Sequence, residues 1–367
     1  MAAAKWLESG GRSAAGSRSS ALHSNQLTSG AVVLRQPTIP AVELAGLMQG
    51  IAEAHTWAQS ARLPALGEGD TITVFEALAT VAAADLSVAR VIEPHLEALA
   101  VLRQAEDEGR SPIHRDPAST WGVFAAEGSG LRVDARVGER GWTLTGTKPW
   151  CSLPGVLSHA IVTAFVGEKR QAFAVGLRGE GVRVEDVEWP SRGLAPITSG
   201  PVTFDQAPAI PVGGANWYAS RPGVAWREIA VAAIWYGGAV GVARRLAEAA
   251  QRRAFDQIGN MHLGNVDMLL HAGRAVLTEA AAQIDAGDAV GVDGRVLALR
   301  VRGVVARVAD AIVDEANRGM GPAPLALEEE HARRVADLMV YVRQEHAARD
   351  AAVLGALLTE QVGRHRP

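Results

Sequence analysis

The sequence predicts a mainly α-helical protein with a β domain set between two helical parts. Three observations predict it. Residues 40–104 are strong helix formers with apolar positions at helical spacing. Residues 112–211 change to alternating apolar and polar positions punctuated by Gly and Pro. From Gly223 onward the chain returns to long segments of Ala, Leu, Val and Arg. These zones divide the chain into a loose tail rich in Gly, Ser and Ala (1–38), an N-terminal helical domain (39–111), a middle β domain (112–215) and a C-terminal helical bundle (216–367).

In the first helical zone, residues 41–48 and 74–81 each repeat apolar side chains at helical spacing, and Asp70 with Thr71 supplies a capping signal before the second. In the β zone, Leu131, Val133, Ala135 and Val137 alternate with polar residues. A turn follows over 138–141, and Trp142 and Leu144 resume the alternation, so the stretch reads as a hairpin. Residues 160–166, 171–177 and 200–205 read as further strands. Four long helices follow, with breaks expected at 259–264, 287–294 and 319–324 and no repeat at solenoid periods.

Composition narrows the function. Among 367 residues, hydrophobic side chains make up 48% and charged ones 21%, an ordinary globular balance. A formal net charge of −4 leaves no basic surplus to neutralise phosphates, which argues against nucleic-acid binding and polybasic membrane attachment. Cys151 is the single cysteine, so there is no internal disulfide and no paired-cysteine metal site; no metal is expected. The apolar run 229–243 lies between Arg227 and Glu228 on one side and Arg244 and Arg245 on the other, too short for a bilayer, and reads as a buried core helix. No apolar signal core follows Lys5, and a cytoplasmic location is expected.

Three motifs carry chemistry. Gly146, Lys148, Trp150 and Ser152 stand at alternate positions at the end of the hairpin. Arg227 and the pair Arg252 and Phe255 bracket the first long C-terminal helix. Gly319 and Gly321 follow Arg318 in a later turn. Read singly, each has a plain structural meaning: a core Trp at a hairpin end, a solvated basic helix terminus, and a helix-ending glycine turn. Together, and in the order helix–sheet–helix, they resemble the acyl-CoA dehydrogenase family over residues 70–358. The resemblance implies a middle domain that is β-barrel-like and a C-terminal four-helix bundle.

It also implies FAD as cofactor. The Trp at 150 would lie against the flavin ring and the hydroxyl of Ser152 near its N5 edge. Arg252 and Phe255 would reach the FAD of a neighbouring subunit, whose pyrophosphate suits a guanidinium fork. The backbone at Gly319 and Gly321 would approach the adenine end. The loop before the hairpin matches the family's flavin-holding loop at Glu127 and Ser129, with Ala126 in place of its Thr. Arg227 and the backbone of Val342 would contact an acyl thioester.

The departures concern the base that removes a Cα proton. Counting from Arg318 brings Arg333 and Tyr341 onto the family's Arg and Tyr, and Val342 onto its catalytic Glu. The alternative position of that Glu is Trp226. Residues 341–350 contain no Gly and read as continuous helix where the family turns. Glu345 and Glu228 are the carboxylates nearest in sequence and the candidate relocated bases.

Three functions follow from the resemblance. The first is an FAD-dependent oxidoreductase passing hydride from Cβ of an acyl thioester to flavin N5, in lipid metabolism. The second is a flavin-dependent monooxygenase on the same fold. The third is a non-catalytic FAD-sharing subunit. The implied partners are an acyl-CoA or similar thioester, an electron acceptor, and other subunits: a homo-oligomer (dimer or tetramer) or a hetero-oligomer with a base-bearing homologue.

Overall fold

The computed structural model describes residues 50–61, 63–110, 113, 116–252 and 254–364. The tail 1–38 and the helix expected over 41–48 lie outside them. Among the described residues three helices come first: α1 (Ile51–Ser60), α2 (Thr71–Ala84) and α3 (Leu86–Asp107). Seven strands follow: β1 (Trp121–Phe124), β2 (Val133–Gly138), β3 (Gly141–Ser152), β4 (His159–Val166), β5 (Lys169–Gly176), β6 (Val182–Val184) and β7 (Ser199–Val212). The remainder is helical: α4 (Trp217–Ser220), α5 (Gly223–Arg252), α6 (Gln257–Asp285), α7 (Gly291–Met320), α8 (Ala323–Leu327), α9 (Glu329–Tyr341), a 3-10 turn (Val342–Gln344) and α10 (Ala348–Arg364). The protein is therefore mainly α with a central sheet.

The predicted hairpin is β2–β3, paired antiparallel from Val133↔Gly146 to Gly138↔Gly141. At Gly146 the strand bulges with φ +124°, and a Cβ there would lie 2.0 Å from the Arg132 carbonyl oxygen, so only glycine fits. The strand order is β1-β4-β2-β3-β7-β5, and β4 pairs β5 as well, which closes five strands into a ring. The β2–β4 seam is short, with the single register pair Asp134↔Phe165. Barrel closure is thus partial.

The two helical parts meet where α2 crosses α5. A Cβ on Gly237 would lie 2.2 Å from the Ala79 carbonyl oxygen, and one on Gly241 would lie 2.7 Å from that of Ala83. Glycines four apart on α5 let the backbone of α2 settle into it. The start of α2 is capped from far away. Asp285, at the end of α6, accepts from the backbone N–H of Thr71 at 3.0 Å and from its hydroxyl at 2.6 Å. The expected local cap, Asp70, instead accepts from the Thr73 hydroxyl at 2.7 Å.

One expected break is corrected. α5 and α6 separate between Arg252 and Gln257, not at 259–264, and Gly259 and Gly264 lie inside α6. Asp256 caps α6 by accepting from Gly259 N at 2.8 Å. Gly259 is small because the Phe255 ring lies on it: an added Cβ would sit 2.7 Å from Phe255 Cγ. By length and composition α5 could cross a membrane, but 89% of its apolar window is buried in the fold, as a core helix requires.

His95 ties α3 to the sheet, its Nδ1 accepting from Trp121 N at 3.1 Å. Burial, with a smaller contribution from His55, lowers its pKa to about 4. The folded imidazole therefore stays neutral while the unfolded one, near 6.5, takes up a proton as pH falls. Stability is lost between pH 6.5 and about 4, by up to ~3 kcal/mol for a shift of this size. Urea titrations across that window should give a flatter pH dependence for His95→Gln than for the parent; equal slopes would refute the assignment. Gly237→Ala should cost about 1–3 kcal/mol or more by overpacking the helix crossing, seen as a lower urea midpoint at unchanged slope.

Candidate functional site

The site is built where β3 ends. The β3–β7 register shifts between Lys148 and Cys151, and within that bulge Trp150 adopts φ +56°. A bulky side chain in the left-handed region is strained. The bulge turns Cys151 and Lys148 inward and leaves Trp150 62% exposed. The Cys151 thiol is pushed up to about 12 by burial and is inert at neutral pH. Lys148 is 1% exposed; its Nζ donates to Glu127 Oε1 at 2.9 Å and to Thr163 Oγ1 at 3.0 Å. Burial lowers the Lys148 pKa, while Glu127 opposes that shift. Glu127 Oε1 also pairs with Arg170 at 2.8 Å, so this carboxylate anchors its loop to the ring. Within that loop Gly128 lies on Pro149, where an added Cβ would sit 2.9 Å from Cγ. The loop carrying Ala126, Glu127 and Ser129 thus adjoins the residue before Trp150.

Ser152 faces helix α3. Arg90 Nη2 donates to Ser152 Oγ at 2.9 Å, and Ser152 Oγ lies 2.8 Å from Ser199 Oγ. A narrow pocket opens here, lined by Arg90, Pro94, Trp121, Phe124, Ser152 and Leu157 among others. Behind Arg90 lies a buried charge cluster. Glu93 Oε2 accepts from Arg90 Nη1 at 3.2 Å and from the Tyr341 hydroxyl at 3.3 Å, and Arg227 Nη1 stands 3.9 Å from Oε1. One helical turn on, Glu97 Oε1 faces Arg227 Nε at 3.0 Å and accepts from the Tyr218 hydroxyl at 3.0 Å, with Arg221 at 3.7 Å. Burial raises the Glu93 pKa and Glu97 adds to it, against Arg90 and Arg227. For Arg227 burial works against the charge, but Glu97, Tyr218 and Glu93 outweigh it and raise the pKa.

The expected site residues fall into two groups. Ala126, Glu127, Ser129, Trp150 and Ser152 belong to the end of the ring just described. The second group lies around the start of α6. Phe255 packs on Gly259, and Gly319 sits where a Cβ would be 3.1 Å from the Cβ of His262. Arg252 projects into solvent near Glu248, at 3.9 Å. Gly319 lies tightly against Leu246 and His262 in this helix packing, whereas Gly321 (φ +77°) ends α7 in open space. Arg227, the expected thioester contact, is already committed to Glu97 and Glu93.

The expected helix over 341–350 is overturned. α9 stops at Tyr341, a 3-10 turn spans Val342–Gln344, and Ala347 adopts φ +48° before α10. The reason is local: Glu345 accepts from Ala347 N at 2.8 Å and Asp350 from His346 N at 3.1 Å, so side chains replace the helical acceptors. Val342 is 2% exposed. Trp226 donates its indole N–H to the Ala289 carbonyl at 2.7 Å and its ring covers Gly67. Glu345 and Glu228 group instead about Arg302, whose guanidinium donates to the carbonyls of Gln344 at 2.8 Å and Glu228 at 3.4 Å.

Two residues that the sequence reading missed are Arg90 and Glu93. The available signal was Arg90, Glu93 and Glu97 at i, i+3 and i+7, a polar stripe on a helix otherwise apolar on that side. For the ring anchor, Glu127→Ala should destabilise the fold by about 1–3 kcal/mol, less than a fully buried pair because Glu127 is partly exposed. Combining it with Lys148→Met should restore much of the loss. Denaturant midpoints of the two single variants and the double variant check this.

No protein-family model matches the sequence, and no curated protein matches it. Solved structures do. A nitrososynthase from Micromonospora carbonacea var. africana superposes with TM-score 0.72 at 20% identity, covering 90% of this chain and 98% of that one. The dibenzothiophene monooxygenase TdsC from Paenibacillus sp. A11-2 gives 0.70 at 18% identity, covering 93% and 96%, and is also known with FMN bound. KijD3, in complex with FMN and a dTDP-linked amino keto sugar, gives 0.68 at 19% identity, covering 94% and 91%. Likeness at such identities establishes architecture: the chain has the acyl-CoA dehydrogenase-like fold.

Proposed function

We propose that the chain is a flavin-dependent oxidoreductase of the monooxygenase kind, using flavin reduced by a separate enzyme. The observation that carries this is the pair of usual base positions, filled by buried Val342 and by Trp226 locked onto Ala289. A dehydrogenase needs a carboxylate there; an oxygenase does not. The ion-paired cluster of Arg90, Glu93, Glu97 and Arg227 behind Ser152 supports it too, since an acyl chain wants an apolar channel. Two of the proteins it resembles hold FMN, and one is a monooxygenase.

The residues present fit a flavin. Trp150, strained outward and exposed, offers an aromatic face; two residues on along β3, Ser152 meets Arg90 at the narrow pocket, and Gly128 of the 126–129 loop adjoins Pro149. When bound, the flavin supplies electron transfer and, once reduced, oxygen activation. Trp150 would hold the ring and Arg90 would place charge near it, beside the narrow pocket that Trp121, Phe124 and Leu157 line. FMN needs only the residues at the end of the ring. FAD would also use Arg252, Phe255, Gly319 and Gly321 from a neighbouring copy, in a dimer or tetramer. The division into domains at 111/112 and 215/216 belongs to this same reading.

One observation favours acyl-CoA dehydrogenation as a second reading. Glu93 is a buried carboxylate of raised pKa beside Tyr341, the neighbour of Val342. A base of this kind is worth on the order of 10²–10⁴-fold in rate. Anaerobic mixing of the flavin-loaded protein with short-, medium- and long-chain acyl-CoAs distinguishes the two. We expect no fast bleaching of the flavin, and protein-dependent oxidation of an aromatic or amine test substrate when NADH, a flavin reductase and air are supplied. Rapid bleaching by an acyl-CoA that Glu93→Gln abolishes would overturn the monooxygenase reading and establish the other.

A further inference from the structure

The hydroxyl of Ser152 is not free to serve the flavin edge. A serine hydroxyl has one hydrogen. Ser199 Oγ donates its own to the Ile197 carbonyl at 3.1 Å, so at the 2.8 Å contact between the two serines Ser152 is the donor. The hydrogen of Ser152 is thereby directed into β7, and its lone pair accepts from Arg90 Nη2 at 2.9 Å. The N–H groups at this edge belong to Arg90.

Arg90 is built into its place. Its side chain is 14% exposed, lines the pocket together with Ser152, and lies over the Tyr341 ring with the guanidinium carbon 5.7 Å from the centroid. Glu93 holds Nη1 at 3.2 Å and is itself held by the Tyr341 hydroxyl at 3.3 Å and faced by Arg227 at 3.9 Å. These contacts fix the plane of the guanidinium, and its other N–H bonds diverge within that plane, which borders the pocket.

We propose that Arg90, rather than Ser152, is the hydrogen-bond donor and fixed cation at the redox edge of the bound flavin, with Glu93 and Tyr341 as positioning residues. This rests on the flavin reading above. Two-electron reduction with uptake of one proton leaves the flavin ring one unit more negative. A cation at that edge favours the reduced form and makes the midpoint potential more positive. The residue comes from α3, outside the sheet that offers Trp150, so the helical part of the chain sets the potential of a cofactor held mainly by the β part.

The test is a dye-coupled reductive titration of the full chain loaded with FMN, and separately with FAD, together with fluorescence titration of oxidised flavin. In Arg90→Gln the preference for reduced over oxidised flavin should fall at least about tenfold, a midpoint lower by ~30 mV for a two-electron couple. Arg90→Lys keeps the charge and should recover most of it. Glu93→Gln should fall between, because the cation remains but loses its anchor. Ser152→Ala should leave the midpoint near that of the parent. Thermal melts of each apoprotein separate this from misfolding, and Arg90→Lys keeps the comparison if Arg90→Gln fails to fold. A midpoint unmoved in Arg90→Gln, or lowered by Ser152→Ala alone, overturns the proposal and leaves the flavin reading standing. A parent protein that binds neither FMN nor FAD overturns both.

Discussion

The close crossing of α2 and α5 sets the geometry on which the site depends. Gly237 and Gly241 bring the α2 backbone to a distance that any side chain would forbid. Because α3 follows α2 after the single residue Asp85, this contact also fixes where α3 runs. Asp85 then starts α3 by accepting from Val88 N at 3.1 Å and binds Arg333 of α9 at 2.8 Å. Asp337, five residues before the 3-10 turn, receives the Leu194 N–H at 2.6 Å. Helix α3 is thus held at its start by the α2 packing, by the Asp85–Arg333 ion pair and by the Ser87 hydroxyl, which donates to Asp337 at 3.4 Å. Its polar stripe can therefore face Ser152 with little freedom.

That stripe makes the interior unusual. Burying Glu93 and Glu97 beside Arg221 and Arg227 costs desolvation that pairing returns only in part. The hydrophobic core around it does not need such a cluster for stability, since apolar side chains of similar volume would serve. Buried charge of this kind beside a pocket points to chemistry. Its polarity also bears on the substrate, because an extended hydrocarbon would meet guanidinium and carboxylate groups with no water to screen them.

Strain at Trp150 points the same way. A large aromatic residue with φ +56° that stays 62% exposed gains little by its position in the isolated fold. The bulge that creates it also seals Cys151 and Lys148 inside, so the strand trades a regular register for an outward ring at one position. A flat conjugated ligand lying on that face would cover the exposed area and offset the strain.

The local pattern of the chain was readable because secondary structure follows short-range periodicity. The hairpin 131–147, the strands through 160–177 and the core helix over 229–243 all rest on residues close in sequence. Where the reading failed, the deciding partner was local but not periodic, or it was distant. Asp256 rather than a glycine run separates α5 from α6. The side chains of Glu345 and Asp350 turn a helix-forming stretch into a break. The cap of α2 comes from Asp285, more than two hundred residues away. The same holds for the site. The sequence by itself marked the Trp150 and Ser152 hairpin and the lack of a carboxylate at Val342 and Trp226. Only the tertiary structure brought Arg90 to Ser152 and Glu93 to Tyr341, because such contacts depend on how α3, β3, α5 and α9 pack, and packing between distant segments leaves no periodic trace along a single chain.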